Sequence, residues 1–251
     1  MHPNTAWLVG LLLAAVPLPL RAETSTRAKE LLDKVDDLYR GKSAHGRMTM
    51  KVPTTHWTRG MSLEFWDQGK DRSLLRILAP LKEKGTATLK AGKEMWNYLP
   101  KVKRVIKVPS SMMGGSWMGS HFTNDDLVKE SRMADDYDTE ISFEGMRDGL
   151  EVIELSSIAK KNAAVVWGKL VTLLRKADNL PLRLDYYDED LRLARRMTFS
   201  AIKKMGGRLV PTVSRMVPTD KPNESTEITY QEVEFDVDLP DDLFTLRSLE
   251  R

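Results

Sequence analysis

Met48-Thr49-Met50-Lys51-Val52 and, a short step further on, Met61-Ser62-Leu63-Glu64-Phe65 carry an apolar side chain at every second position with a polar one between. Side chains on a strand point alternately to opposite faces, so each stretch predicts a strand with one buried face. The same alternation returns in Trp96-x-Tyr98, Ile141-x-Phe143, Leu182-x-Leu184-x-Tyr186, Leu191-x-Leu193, Met197-x-Phe199-x-Ala201 and Ile228-x-Tyr230. About ten strands are predicted, with turns at Asp67-Gln68-Gly69, Ala91-Gly92, Gly145 to Gly149, Asp178-Asn179, Asp188-Glu189-Asp190 and Gly206-Gly207. After Tyr230 the apolar phase slips by one residue and resumes as Val233-x-Phe235-x-Val237. Such a slip predicts a β-bulge in a curved sheet.

Ahead of the strands the period is helical. Ala28, Leu31, Leu32, Val35, Leu38 and Tyr39 form one apolar stripe, with Thr26 as N-cap and Gly41 as terminator. Further upstream, Ala6 to Leu20 holds no charged residue, contains the run Leu11 to Val16, and ends in Leu20-Arg21-Ala22. This predicts a signal peptide over 1–22, cleaved after Ala22, followed by a single domain over 23–251. Interrupted by Pro17 and Pro19, the segment is short of the roughly 20 apolar residues that span a bilayer. The chain has no cysteine, which excludes a disulfide framework, a thiolate nucleophile, a cysteine zinc site and an acylated cysteine anchor. An exported chain without an anchor is expected in the periplasm.

The formal net charge of +3, with 41% apolar and 30% charged residues, is that of a globular protein and not of one that coats nucleic acid. No phosphate loop or dinucleotide fingerprint occurs, so no cofactor is expected. The histidines lack the i, i+4 spacing of a helical zinc site, and Asp135 to Glu140 lacks the glycine of a calcium loop, so no metal is expected. Gly114-Gly115-Ser116-Trp117-Met118-Gly119 misplaces the second glycine of a nucleophile elbow. An enzyme is not expected.

One segment, Ser110 to Phe122, follows neither period and concentrates methionine, glycine and aromatics. Methionine suits surfaces that repack around variable apolar shapes, so Met112, Met113, Trp117, Met118 and Phe122 are candidates for a lipid-facing lid, or for core fillers on a loop crossing the sheet. Trp57, Phe65, Trp96 and Tyr98 are candidate cavity-lining residues on strands, or plain core. Lys101, Lys103, Arg104 and Lys107 form a basic cluster that either protects an edge strand or meets anionic head groups or an acidic partner.

Three stretches carry a family resemblance. Gly92-Lys93-Glu94-Met95-Trp96-Asn97-Tyr98-Leu99-Pro100 resembles a strand motif of the LolA/LolB-type periplasmic lipoprotein carriers. Met118-Gly119-Ser120-His121-Phe122-Thr123-Asn124-Asp125-Asp126-Leu127 is similar to a signature of the LolA-like branch of outer-membrane lipoprotein-sorting proteins, and Leu239 to Thr245 to that family's closing segment. The resemblance implies a mainly β fold, a strongly curved antiparallel sheet forming an incomplete barrel, with helices as a lid over an apolar cavity. It implies a periplasmic carrier that takes acyl chains of a lipoprotein or lipid from an inner-membrane transporter of the ABC or RND kind and passes them to an outer-membrane acceptor. It also implies an arginine on the first strands that latches the lid, for which Arg47 is the counterpart. The other expectation is an accessory subunit that docks on an envelope transporter complex and carries nothing.

Overall fold

A computed structural model of the chain describes residues 26–129, 133–163 and 165–250. The predicted signal segment lies outside the described residues.

Thirteen strands form one antiparallel sheet. They are β1 (Ser43–Pro53), β2 (Thr58–Gln68), β3 (Arg72–Ala79), β4 (Ala87–Ala91), β5 (Glu94–Leu99), β6 (Arg104–Lys107), β7 (Tyr137–Arg147), β8 (Leu150–Ala159), β9 (Lys169–Arg175), β10 (Pro181–Tyr187), β11 (Leu193–Met205), β12 (Arg208–Pro218) and β13 (Thr226–Phe235). The spatial order β6-β5-β4-β3-β2-β1-β13-β12-β11-β10-β9-β8-β7 is two runs of sequential neighbours, joined where β1 pairs with β13. The sheet is curved and open, and its two edges, β6 and β7, are consecutive strands. The chain between them, 108–136, must therefore travel from one edge of the sheet to the other.

The predicted bulge is present. Arg47 faces Glu232 and Met48 faces Tyr230, so Gln231 is the extra residue on β13, next to the central seam. A bulge adds local bend and twist, which suits the middle of a sheet that must curve. Opposite it, Gly46 has no room for a side chain, because a Cβ there would lie 2.3 Å from the Glu232 carbonyl oxygen and 2.8 Å from the Phe65 ring.

Three layers result. On the concave face, helix α1 (Thr26–Asp37) buries Ala28, Leu31 and Leu32 in a cluster with Tyr137, Leu155, Leu184 and Met197. As predicted, Gly41 ends this turn: it takes φ +58° and its N–H bonds the Asp37 carbonyl at 3.2 Å. The crossing segment covers the other half, placing Trp117 and Met113 on a cluster built from Ala44, Met48, Leu63, Phe65, Ile77 and Met95. It continues into the short helices α2 (Asn124–Lys129) and α3 (Met133–Asp136). On the convex face the C-terminal residues Leu239, Leu243, Phe244 and Leu249 cover Leu74, Ala87 and Leu89.

The count of about ten strands is corrected to thirteen. In β9, Leu170 to Leu174 are all buried, and β8 buries Val152 and Ile153, then Leu155 to Ser157. Strands covered on both faces show apolar runs without alternation, the signal on which the prediction relied. Leu191, predicted on a strand, instead occupies a turn at φ +59° and is 56% exposed.

Candidate functional site: an apolar cavity under a clamped flap

Strand register places three rows of side chains on the concave face of β1 to β4. Met48, Leu63 and Ile77 make one row and Gly46, Phe65, Leu75 and Thr88 the next; Ala44, Asp67, Ser73 and Lys90 make the third. Between these rows, α1 and the crossing segment lies a cavity of about 150 Å³. Its sheet wall is Met48, Phe65, Leu75 and Met95 on one side and Leu184, Met197, Phe199 and Ile228 on the other. Trp117, Phe122, Leu127 and Met133 form the cover, and Val35 and Tyr39 reach in from α1 and the turn after it. Tyr39 stacks on Tyr230 with centroids 5.0 Å apart, and Tyr230 meets Phe65 edge-on at 5.8 Å. This aromatic chain ties the helix end to the central seam.

The cover is held by polar bonds at both flanks. On the β2 side, Arg59 donates to the Met118 carbonyl at 2.5 Å and pairs with Glu83. On the β11 side, Arg195 donates to the His121 carbonyl at 2.7 Å and to Asp126 Oδ1 at 2.5 Å. Both charged side chains of that pair are 5% exposed, so the bond is made out of water. The Arg195 guanidinium lies 4.1 Å from the ring centroids of Trp167 and Tyr186, and Trp167 Nε1 donates to the same Asp126 oxygen at 3.0 Å. Carbonyl, carboxylate and two ring faces surround the guanidinium, whose two terminal nitrogens donate while its Nε is buried without a hydrogen-bond partner. Nearby, burial, with the charges of Asp125, Asp136 and Asp126 adding, pushes the Tyr137 phenol above its ordinary pKa; its hydroxyl donates to the Trp167 carbonyl at 2.9 Å.

Between the two arginines, Trp117 Nε1 donates to Thr88 Oγ1 at 3.2 Å, and the backbone N–H of His121 donates to Thr226 Oγ1 at 2.9 Å. His121 also meets Glu224 at 3.3 Å. The Ser116 hydroxyl donates to the Ser120 carbonyl at 2.5 Å. Ser116 and His121 are thus engaged in holding the shape of the flap.

A family model whose description is "uncharacterized protein", of the DUF1329 type, matches residues 69–251. The chain belongs to this family. Its fold is shared with a DUF1329 family protein from Desulfovibrio piger, at 25% identity and a TM-score of 0.81, over 90% of this chain and 99% of that one. A domain from Vibrio parahaemolyticus described as an outer membrane lipoprotein-sorting protein is 22% identical, with a TM-score of 0.76 over 90% and 99% of the two chains. A LolA superfamily protein from Nitrosomonas europaea is 20% identical, with a TM-score of 0.75 over 88% and 98%. No curated protein matches. The DUF1329-type chain therefore has the LolA-like fold that its motifs resemble.

Within this DUF1329 chain the predicted site residues divide. Phe65, Trp117 and Phe122 line the cavity, while Met113 and Met118 pack behind it. Met112 is 58% exposed and does not line it. Trp57 is not on a strand but in the β1–β2 turn, where the Thr54 hydroxyl accepts from the His56 and Trp57 N–H groups, and its ring is exposed. Trp96 and Tyr98 lie on the convex face with Phe244 and Leu249. Both are only partly buried there, and Met95, on the opposite phase, is the buried residue of β5 and faces the cavity.

Arg47 is likewise corrected. An odd-numbered position on β1, it faces outward, half exposed, 3.4 Å from Glu232, so it holds no lid. Arg59 and Arg195 do that bonding. Lys101, Lys103 and Arg104 are exposed around the β5–β6 turn, whereas Lys107 is paired with Glu94 and lies over the Trp96 ring. Sequence reasoning missed Lys90 and Arg195. Lys90 is a lone cation within its strand and Arg195 is one of two adjacent arginines, and only the tertiary register reveals that each is buried.

Proposed function

We propose that this protein is a periplasmic carrier. It binds acyl chains of a lipoprotein or lipid in the cavity beneath the flap and moves them from an inner-membrane transporter of the ABC or RND kind to an acceptor in the outer membrane. The observation that carries this reading is the cavity itself, walled by methionine, leucine and aromatic side chains in a sheet otherwise packed to form cores. Methionine lines it at four positions, Met48, Met95, Met133 and Met197, which suits a wall that must repack around cargo. The LolA-like fold supports the same reading.

The chemistry is physical and not covalent. Each buried CH₂ contributes about 0.8 kcal/mol, so a long chain is held firmly once inside. Yet about 150 Å³ is less than the roughly 300 Å³ at the low end of ligand pockets, so loading requires the flap to lift. Opening breaks the Arg59 and Arg195 bonds, and a partner that offers those groups other contacts shifts the balance toward release. The exposed cations Lys101, Lys103 and Arg104 at the β5–β6 turn are where such a partner, or anionic head groups, would be met.

The test is displacement of a fluorescent fatty acid from the purified protein. Saturable binding that unlabelled fatty acid competes away is expected. A protein that binds no acyl chain, and whose cellular function is lost only when Lys101, Lys103 and Arg104 are reversed to glutamate, would instead be a docking subunit.

A further inference from the structure

Because neighbouring strands run antiparallel, the turns β1–β2, β3–β4 and β5–β6 come out at one end of the sheet. They adjoin one another there. Arg59, at the start of β2, pairs with Glu83 of the β3–β4 turn, and a Cβ added to Gly85 of that turn would lie 3.8 Å from the Pro100 ring of the β5–β6 turn. The corner they build is apolar at its tips and cationic around them. Leu81 is 87% exposed, Val102 58% and Trp57 46%, with Leu99 also exposed beside Pro100. Around them stand Arg59, Lys82, Lys84, Lys101, Lys103 and Arg104, with Glu83 as the one acid in the three turns. Glu83 is shared by Arg59 and Lys82, the latter at 3.8 Å.

The turns hold these tips out. In the β3–β4 turn the Glu83 N–H donates to the Pro80 carbonyl at 2.9 Å, the Lys84 N–H to the Leu81 carbonyl at 3.3 Å and the Gly85 N–H to the Ile77 carbonyl at 2.9 Å; in the β5–β6 turn the Val102 N–H donates to the Leu99 carbonyl at 3.2 Å. Single exposed apolar residues are ordinary, but several on adjoining turns within a ring of cations mark a contact surface. A bilayer accepts a protruding leucine without a matching pocket, whereas a protein partner would have to supply one. Tryptophan favours the membrane interface, and lysine and arginine favour the phosphate level of an anionic leaflet. Farther round the same rim the sign changes. The β10–β11 turn also exposes a leucine, Leu191, but among Asp188, Glu189 and Asp190, with Arg192 paired to Asp190.

We infer that the corner of the β1–β2, β3–β4 and β5–β6 turns docks the protein on a membrane surface that carries anionic lipid, with Leu81, Val102 and Trp57 entering the head-group boundary and the cations around them meeting the phosphates. This commits the exposed cations to lipid and does not depend on what the cavity holds. Arg59, which donates to the Met118 carbonyl, puts one clamp of the flap at the same corner.

Flotation of the purified chain with vesicles of phosphatidylcholine alone, and of phosphatidylcholine mixed with phosphatidylglycerol, tests it. Binding to the mixed vesicles is expected to exceed binding to the neutral ones about tenfold or more, and to weaken as salt is raised. Leu81→Ser with Val102→Ser, both at exposed positions, should cut binding to the mixed vesicles about fivefold or more. Lys101→Glu with Lys103→Glu should remove the preference for the anionic vesicles, and Leu191→Ser should change nothing. Equal flotation with the two vesicle types, or none, overturns the inference. So does binding that the charge reversal removes and the serine pair leaves intact, which is the behaviour of a surface that meets an acidic protein. Fatty-acid displacement from the same variants reads the cavity separately, so failure at the vesicle leaves the carrier reading standing.

Discussion

At the residue scale the account turns on a few side chains whose surroundings leave no alternative. Gly46 is one. The Phe65 ring lies against the space its Cβ would fill, so Gly46→Ala drives Phe65 into the cavity or off the sheet. Overpacking of this kind costs about 1–3 kcal/mol, and denaturant unfolding of the variant should show a loss of that size together with weakened acyl binding. Arg195 is another. Removing it as Arg195→Ala leaves the Asp126 carboxylate buried beside Trp167 without its cation. Losing one member of a buried pair costs about 3–5 kcal/mol, and the double variant with Asp126→Ala should recover part of it in a mutant cycle. A loss no larger than at an exposed pair would contradict the clamp. Neither role was legible in the string of residues. Gly46 reads as a weak point in a strand and Arg195 as one of two adjacent arginines, because what each touches comes from strands far away in the chain.

At the element scale, legibility followed solvent. The opening helix, the one-sided strands and the bulge after Tyr230 were readable because one face of each meets water and the polar residues mark it. Strands β8 and β9 were not, since burial on both faces erases the period. The convex placement of Trp96 and Tyr98 escaped for a related reason: alternation identifies a phase but not which layer covers it. Helix α1 is tied to β7 by Arg27, which bonds Glu144 at 2.7 and 3.0 Å. That hydrogen bond lowers the Glu144 pKa from 4.5 to about 2, burial opposing and Lys176 assisting. A depressed carboxylate stabilises the fold above its unfolded value and loses that contribution as pH falls through the folded one. The protection factors of the α1 amides, each observed rate compared with its intrinsic rate at the same pH, should therefore fall as pH drops from about 4.5 to 2, and Glu144→Gln should flatten that fall.

At the scale of the whole molecule, the order of strands explains why a flap exists at all. Because the sheet is entered at its centre and its edges are the consecutive strands β6 and β7, the connecting chain has to traverse the concave face, and it does so carrying Trp117, Phe122 and Met133. The segment Ser110 to Phe122 was recognisable from its composition, but its anchoring at Arg59 and Arg195 is a property of the folded sheet. On the convex face the C-terminal turns cover Leu74, Ala87 and Leu89, and the cavity lies on the concave side. The central claim is that this volume is for an acyl chain. Native mass spectrometry of the protein purified without detergent tests it most directly. The account predicts a bound mass that lipid extraction identifies as an acyl amphiphile, and a protein that is empty in every preparation and stays empty when offered fatty acid contradicts it.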